Sequence, residues 1–221
     1  MRQPSLTQES KLLKNKVLTT YQWQGRSVEV FDSTANAILL LELFNDQELT
    51  GEEKSIIVLL RLFPRSHAEY YARELTNEEL TDLLTTILWD AFGLDISEEH
   101  KRESSYDKPV FNFDEDAARI KASFMQAYGL DLAEYASKLP YVDFCGLVGT
   151  LMESGEQTPL SEAITYRTAK PPKANKYNKE ERERFNALRK HYAMDASTSA
   201  SDPNDATAAM FEAALREAGG K

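Results

Sequence analysis

The chain has 221 residues, a net charge of −10, 42% hydrophobic and 10% aromatic side chains. That composition supports a real core and excludes wholesale disorder, while the excess of acid puts a phosphate backbone at a disadvantage as a partner. The single cysteine, Cys145, excludes an intramolecular disulfide, and no apolar run approaches the roughly twenty residues of a membrane span.

Residues 1–15 are polar and read as a loose extension without the apolar stretch of a secretion signal, so a cytosolic protein is expected. Val17–Trp23 and Ser27–Phe31 alternate apolar and polar residues around Gln24-Gly25 and predict a small β-hairpin. A lone hairpin is marginal in water, so its apolar face must lie on helices.

Asp32 and Ser33 can cap a first helix carrying Ile38, Leu39, Leu41 and Leu43, ending near Asn45. Thr50 with Glu53 forms a capping-box signature for a helix through Ile57, Leu60 and Phe63, which Pro64 stops. A second such signature, Thr76 with Glu79, opens a helix through Leu80, Leu83, Leu84, Ile87, Leu88 and Trp89, with Gly93 past its end. Residues 94–109 are polar and predict a surface loop.

Val110–Phe113 alternates like a short strand, one able to pair with the N-terminal hairpin. Asp114 is then the expected N-cap, with Glu115 and Asp116 in the first turn, where the helix dipole favours anions. Ala117, Ile120, Phe124 and Tyr128 fall on one helical stripe that Gly129 ends, and Asp131 caps a short helix through Leu132 and Tyr135. Pro140 suits the first turn of a helix whose stripe is Tyr141, Phe144, Val148, Leu151 and Met152, and Gly146 and Gly149 suggest a close helix approach. Thr158-Pro159 opens a helix with Leu160, Ile164 and Tyr166, which the Lys170-Pro171-Pro172-Lys173 run breaks. Asn178 with Glu181 starts a charged helix whose apolar residues are Phe185, Leu188 and Tyr192. From Asp195 the chain turns small and polar, the composition of a flexible linker. Beyond it Ala208, Phe211, Leu215 and Ala218 form a narrow apolar stripe.

Chemistry is sparse. His67, His100 and His191 are scattered without a second His or Cys at ligand spacing, so no metal or cofactor is expected. Cys145 sits on an apolar helix without a partner base and reads as a small core residue. Asp114, Glu115 and Asp116 lack the spacing of a calcium loop, and dipole compensation explains them better. Arg167, Lys170, Lys173, Lys176, Lys179, Arg182, Arg184, Arg189 and Lys190 crowd one region, diluted by Glu180, Glu181 and Glu183. A solvated helix face is the plainer reading of that crowd; a nucleic-acid patch or a site for an acidic protein are the alternatives.

The combination of Phe111–Asp116, of the Phe-x-x-x-Tyr-Gly-x-Asp run at Phe124–Asp131, and of Ile164-Thr165-Tyr166-Arg167-Thr168 resembles a family of small proteins from long-tailed phages of Gram-positive hosts. The similarity runs from about Val17 to Asp195. Genes of that family lie between those for the major tail protein and the tape-measure protein, a position from which its members are taken to be tail assembly chaperones. The resemblance implies no catalytic residues. It implies a tape-measure protein as partner, with the major tail protein and self-association as further candidates, in the cytoplasm of the infected host rather than in the finished particle.

The expected architecture is thus α+β and mostly α, a small N-terminal hairpin on a bundle of about seven or eight helices. It divides into an extension at 1–15, a globular domain at 16–195, a linker at 196–203 and an amphipathic helix at 204–221. The residues expected to meet a partner are Phe211 and Leu215 on the tethered stripe and Arg182 and Arg189 on the basic helix. Two rivals stand beside the chaperone: a structural connector of the virion, and a DNA-binding regulator using residues 178–192.

Overall fold

The computed structural model describes residues 9–94, 111–173 and 177–194. The fold is α+β and mostly α. A three-stranded antiparallel sheet in the order β1-β2-β3 is built from β1 (Ser10–Leu13), β2 (Lys16–Trp23) and β3 (Arg26–Val30). The expected hairpin is β2–β3, and β1 adds a strand where the sequence predicts a loose extension. Both connections are two-residue turns with positive φ at each central residue: Lys14 (48°) and Asn15 (64°), then Gln24 (47°) and Gly25 (73°). Turns of that hand match the twist of the strands they join. One face of the sheet is buried through Val17, Thr19, Tyr21 and Trp23 of β2 and Val28 and Val30 of β3, with Tyr21 opposite Val28 and Thr19 opposite Val30; Leu18 on the other face of β2 is buried as well.

The sheet feeds α1 (Thr34–Asn45), α2 (Gly51–Leu62), α3 (Arg65–Glu74) and α4 (Asn77–Ile87), and α4 runs on into a π-helical turn at Leu88–Phe92. Ser33 alone caps α1, its Oγ accepting from the Asn36 N–H. Both capping boxes form, Thr50 with Glu53 on α2 and Thr76 with Glu79 on α4. Gly93 ends the π-helical turn in the left-handed conformation with φ 64°. α3 departs from the expectation that Pro64 only stops a helix. Pro64 also stands directly before the next one, and α3 buries just Ala68, too thin a stripe for periodicity to detect. Trp23 ties the sheet to α4 by donating its Nε1–H to Asp82 Oδ2 at 2.8 Å.

The second half comprises α5 (Ala117–Tyr128), α6 (Leu132–Tyr135), α7 (Tyr141–Glu153), α8 (Pro159–Thr168) and α9 (Lys179–Tyr192). One strap holds it to the first half. The N–H groups of Val17, Thr34 and Ala35 donate to the carbonyls of Ser137, Leu139 and Ala136 at 2.8–2.9 Å, and Tyr141 N–H donates to Asp32 O at 2.8 Å. The core of the second half is aromatic: Phe124 stacks on Phe144 at 5.1 Å, and Phe113 and Tyr141 lie 6.0 and 6.1 Å from the Phe144 ring, while Phe92 of the first half meets Tyr141 at 6.1 Å.

Three local expectations are corrected. The strand expected at Val110–Phe113 does not form over the described residues 111–113, which lead into a turn at Phe113–Asp116; Phe111, Asn112 and Phe113 are all buried, without the alternation of a strand, and the two rings meet edge to face at 5.4 Å. Asp114 is exposed and does not cap α5. The Asn112 side-chain oxygen caps this turn, accepting from the N–H groups of Asp114 and Glu115. Gly149 marks no close helix approach, since a Cβ there would meet nothing within 4 Å. The proposed linker and terminal helix at 196–221 lie outside the described residues.

Candidate interaction surface

One buried ion pair joins α8 to the start of α5. Asp116, at the start of α5, has a fully buried side chain. Arg167 of α8 donates from Nη1 to Asp116 Oδ2 at 2.7 Å and from Nη2 to Oδ1 at 2.9 Å. Arg119 adds a bond to Oδ1 at 2.6 Å, and the Asn112 N–H donates to Oδ2 at 3.0 Å. Burial pushes this carboxyl up; the Arg167 hydrogen bonds, the Asn112 N–H, the Arg167 charge and the Arg119 bond together outweigh it and hold Asp116 below its ordinary value. Asp116 is therefore an internal anchor rather than a dipole-compensating surface acid.

The same guanidinium fastens α9. Arg167 Nε donates to the Tyr192 carbonyl at 2.6 Å. The Tyr192 ring stacks on Tyr166 at 5.6 Å and 8°, Phe185 meets Tyr166 at 5.6 Å, and Arg119 lies over the Tyr192 ring at 5.4 Å. No residue of α9 is fully buried, so this aromatic and ionic seam is what seats the helix.

The seam decides the fate of the basic segment. Arg167 is neutralised inside the fold and leaves the crowd of surface cations. Arg182 is half-buried on the inner side of α9, its Nε shielded from water without a hydrogen-bond partner among the described residues. Arg189 is exposed near the C-terminal end of the helix, where cations complement the dipole. The structure thus separates these two expected partner residues, one turned inward and one outward. Phe211 and Leu215 lie outside the described residues, as does Lys176.

Catalytic groups are not brought together among the described residues. Cys145 is buried in the core, and burial pushes its thiol up to about 12. Asp32 is fully buried, with Thr19 Oγ1 and Tyr21 OH each donating to it at 2.8 Å; burial, with a small contribution from Asp143, still raises its carboxyl to about 6. No group of three or more His, Cys, Asp or Glu that could hold a metal occurs among the described residues, and no helix among them is long and apolar enough to cross a membrane.

What the surface does offer is apolar. Leu39 on α1 and Ile56 and Leu60 on α2 are 39, 53 and 56% exposed. Ile56 and Leu60 are one turn apart on one face of α2. Asn36 Nδ2 reaches the Arg61 carbonyl at 3.2 Å and Lys54 Nζ the Phe44 carbonyl at 3.0 Å, so α1 and α2 form an antiparallel hairpin with Leu39 level with the Ile56–Leu60 turn. The sequence places Leu39 and Leu60 in the core stripes. The α2 run Ile56-Ile57-Val58-Leu59-Leu60 is apolar all round, and periodicity cannot say which of its members face out.

The model of the family described as Bacteriophage Gp15 protein matches residues 13–194. No curated protein and no solved structure matches the chain.

Proposed function

Because the chain belongs to the Bacteriophage Gp15 protein family, we propose that it is a tail assembly chaperone, binding the tape-measure protein and keeping it soluble until the tail tube polymerises. Family membership over residues 13–194 carries the reading, together with the resemblance at Phe111–Asp116, Phe124–Asp131 and Ile164–Thr168 to phage proteins encoded beside the tape-measure gene. A tape-measure protein is long and helical, and before assembly its apolar stripes face water and favour aggregation. A chaperone for it requires surface rather than a nucleophile. The exposed Leu39, Ile56 and Leu60 supply apolar surface, and the net charge of −10 keeps a complex in solution.

Co-expression with the tape-measure protein of the same phage tests the proposal. The chaperone should raise that protein's soluble yield and co-purify with it, and should be missing from purified particles. Yield and co-purification at background would remove the reading. Stoichiometric presence in particles would identify a virion component instead.

A further inference from the structure

We infer that the α1–α2 hairpin is the docking face for the client and takes a basic amphipathic helix. The inference rests on the chaperone reading and adds the site and the chemistry of the segment bound there. Leu39, Ile56 and Leu60 lie at one level of the hairpin, about half exposed. The loop end of the same hairpin carries the exposed acids Glu42, Asp46, Glu48, Glu52 and Glu53. Five carboxylates there face one ammonium, Lys54, which is already turned onto the Phe44 carbonyl. Glu52, Ile56 and Leu60 repeat every four residues, so acid and apolar positions continue along one stripe of α2.

That order selects an occupant. A helix lying along the hairpin covers the apolar level with its own apolar stripe and sets lysines or arginines against the acidic loop end. A second copy of this chain fits less well. Its basic element is α9, whose exposed residues are polar or charged apart from the small Ala187 and would leave Ile56 and Leu60 uncovered.

The test is fluorescence anisotropy on the full chain with three labelled probes: a designed leucine–lysine amphipathic helix, its leucine–glutamate counterpart and a serine–lysine peptide of equal charge. The leucine–lysine helix should bind and the other two should bind at least about tenfold more weakly. Ile56→Glu with Leu60→Glu should weaken the leucine–lysine complex by at least about tenfold, and Ile56→Ser with Leu60→Ser should weaken it without adding charge. Tyr70→Ser, an exposed aromatic on α3, should leave it unchanged. Circular dichroism confirms that each variant is folded, as expected for exposed positions.

Equal binding by the serine–lysine peptide, equal loss with Tyr70→Ser, or binding indifferent to both double variants would overturn the assignment. So would sedimentation showing that the wild-type chain self-associates through Ile56 and Leu60. If the double variants still raise the soluble yield of the tape-measure protein, the face is wrong and the chaperone reading stands. If the wild-type chain raises no yield while the peptide binds at this face, the chaperone reading fails alone.

Discussion

Arg167 clasps both carboxylate oxygens of Asp116, at 2.7 and 2.9 Å, across 51 positions of sequence. The contact joins α8 to the start of α5, and through the Arg167 Nε bond to Tyr192 it reaches α9 as well. Two of the three stretches that carry the phage-protein resemblance, Phe111–Asp116 and Ile164–Thr168, meet at this one ion pair. The residues that make the sequence recognisable here are structural.

Arg167→Met should therefore destabilise the fold strongly. It leaves a buried carboxylate with Arg119 as its only cation, and breaking a buried pair from one side costs about 3–5 kcal/mol. Asp116→Asn with Arg167→Met should cost less than the sum of the single changes, because the stranded charge is gone. A double-mutant cycle by urea denaturation measures the coupling, and additive single effects would contradict the geometry.

Helices with caps or a broad apolar stripe are legible in the amino-acid sequence itself. Thr50 with Glu53 and Thr76 with Glu79 announce their helices by reciprocal bonds local to four residues. Local patterns mislead where long-range contacts decide. The first strand turns at Lys14-Asn15, which lacks the glycine that flags such turns. Arg167 reads as one cation among nine because nothing near it in sequence reveals a carboxylate buried 51 residues away. The exposed face of α2 is hidden for the opposite reason, an apolar run with no polar side to orient it.

Asp32 should make stability pH-dependent in a definite direction. Its folded-state value of about 6 lies above the ordinary 3.8. Its contribution is therefore fully present below about 4 and is lost as the pH rises through about 6. The groups facing it are Thr19 and Tyr21 from β2, which donate to it, and Asp143 from α7. Asp32→Asn removes the buried charge. Relative to wild type the variant should be favoured at pH 8 and lose that advantage by pH 4, a relative change of up to about 3 kcal/mol for a shift of about two units. Thermal melts of both proteins across this range check it; a constant difference would show that Asp32 does not titrate as its burial requires.

Cys145 should be inert in the native chain. Its thiol is buried on α7 and pushed up to about 12, so thiolate is scarce at neutral pH and reagent cannot reach it. Ellman's reagent should release less than one equivalent per chain over the time in which the urea-unfolded chain reacts fully. Cys145→Ser should cost stability by placing a hydroxyl in the core, while Cys145→Ala keeps the site apolar and should cost less. Rapid native labelling would mean that α7 opens far more readily than its packing against Phe124 and Phe113 implies.

The end of α9 sets where the chain can be shortened. Among the described residues, the contacts that seat this helix reach Tyr192: its carbonyl accepts from Arg167, its ring stacks on Tyr166, and Arg119 covers that ring. Removing residues 196–221 should then leave the melting temperature within about 2 °C of the full chain, since about 1 kcal/mol corresponds to 2–4 °C at this size. Removing residues 177–221 strips the cover from Tyr166 and takes away the carbonyl that Arg167 Nε holds. It should lower the melting temperature by several times as much. Calorimetry on the two truncations separates the cases. A large loss from the shorter deletion would mean that the tail carrying Phe211 and Leu215 packs on the domain, leaving those side chains unavailable to a partner.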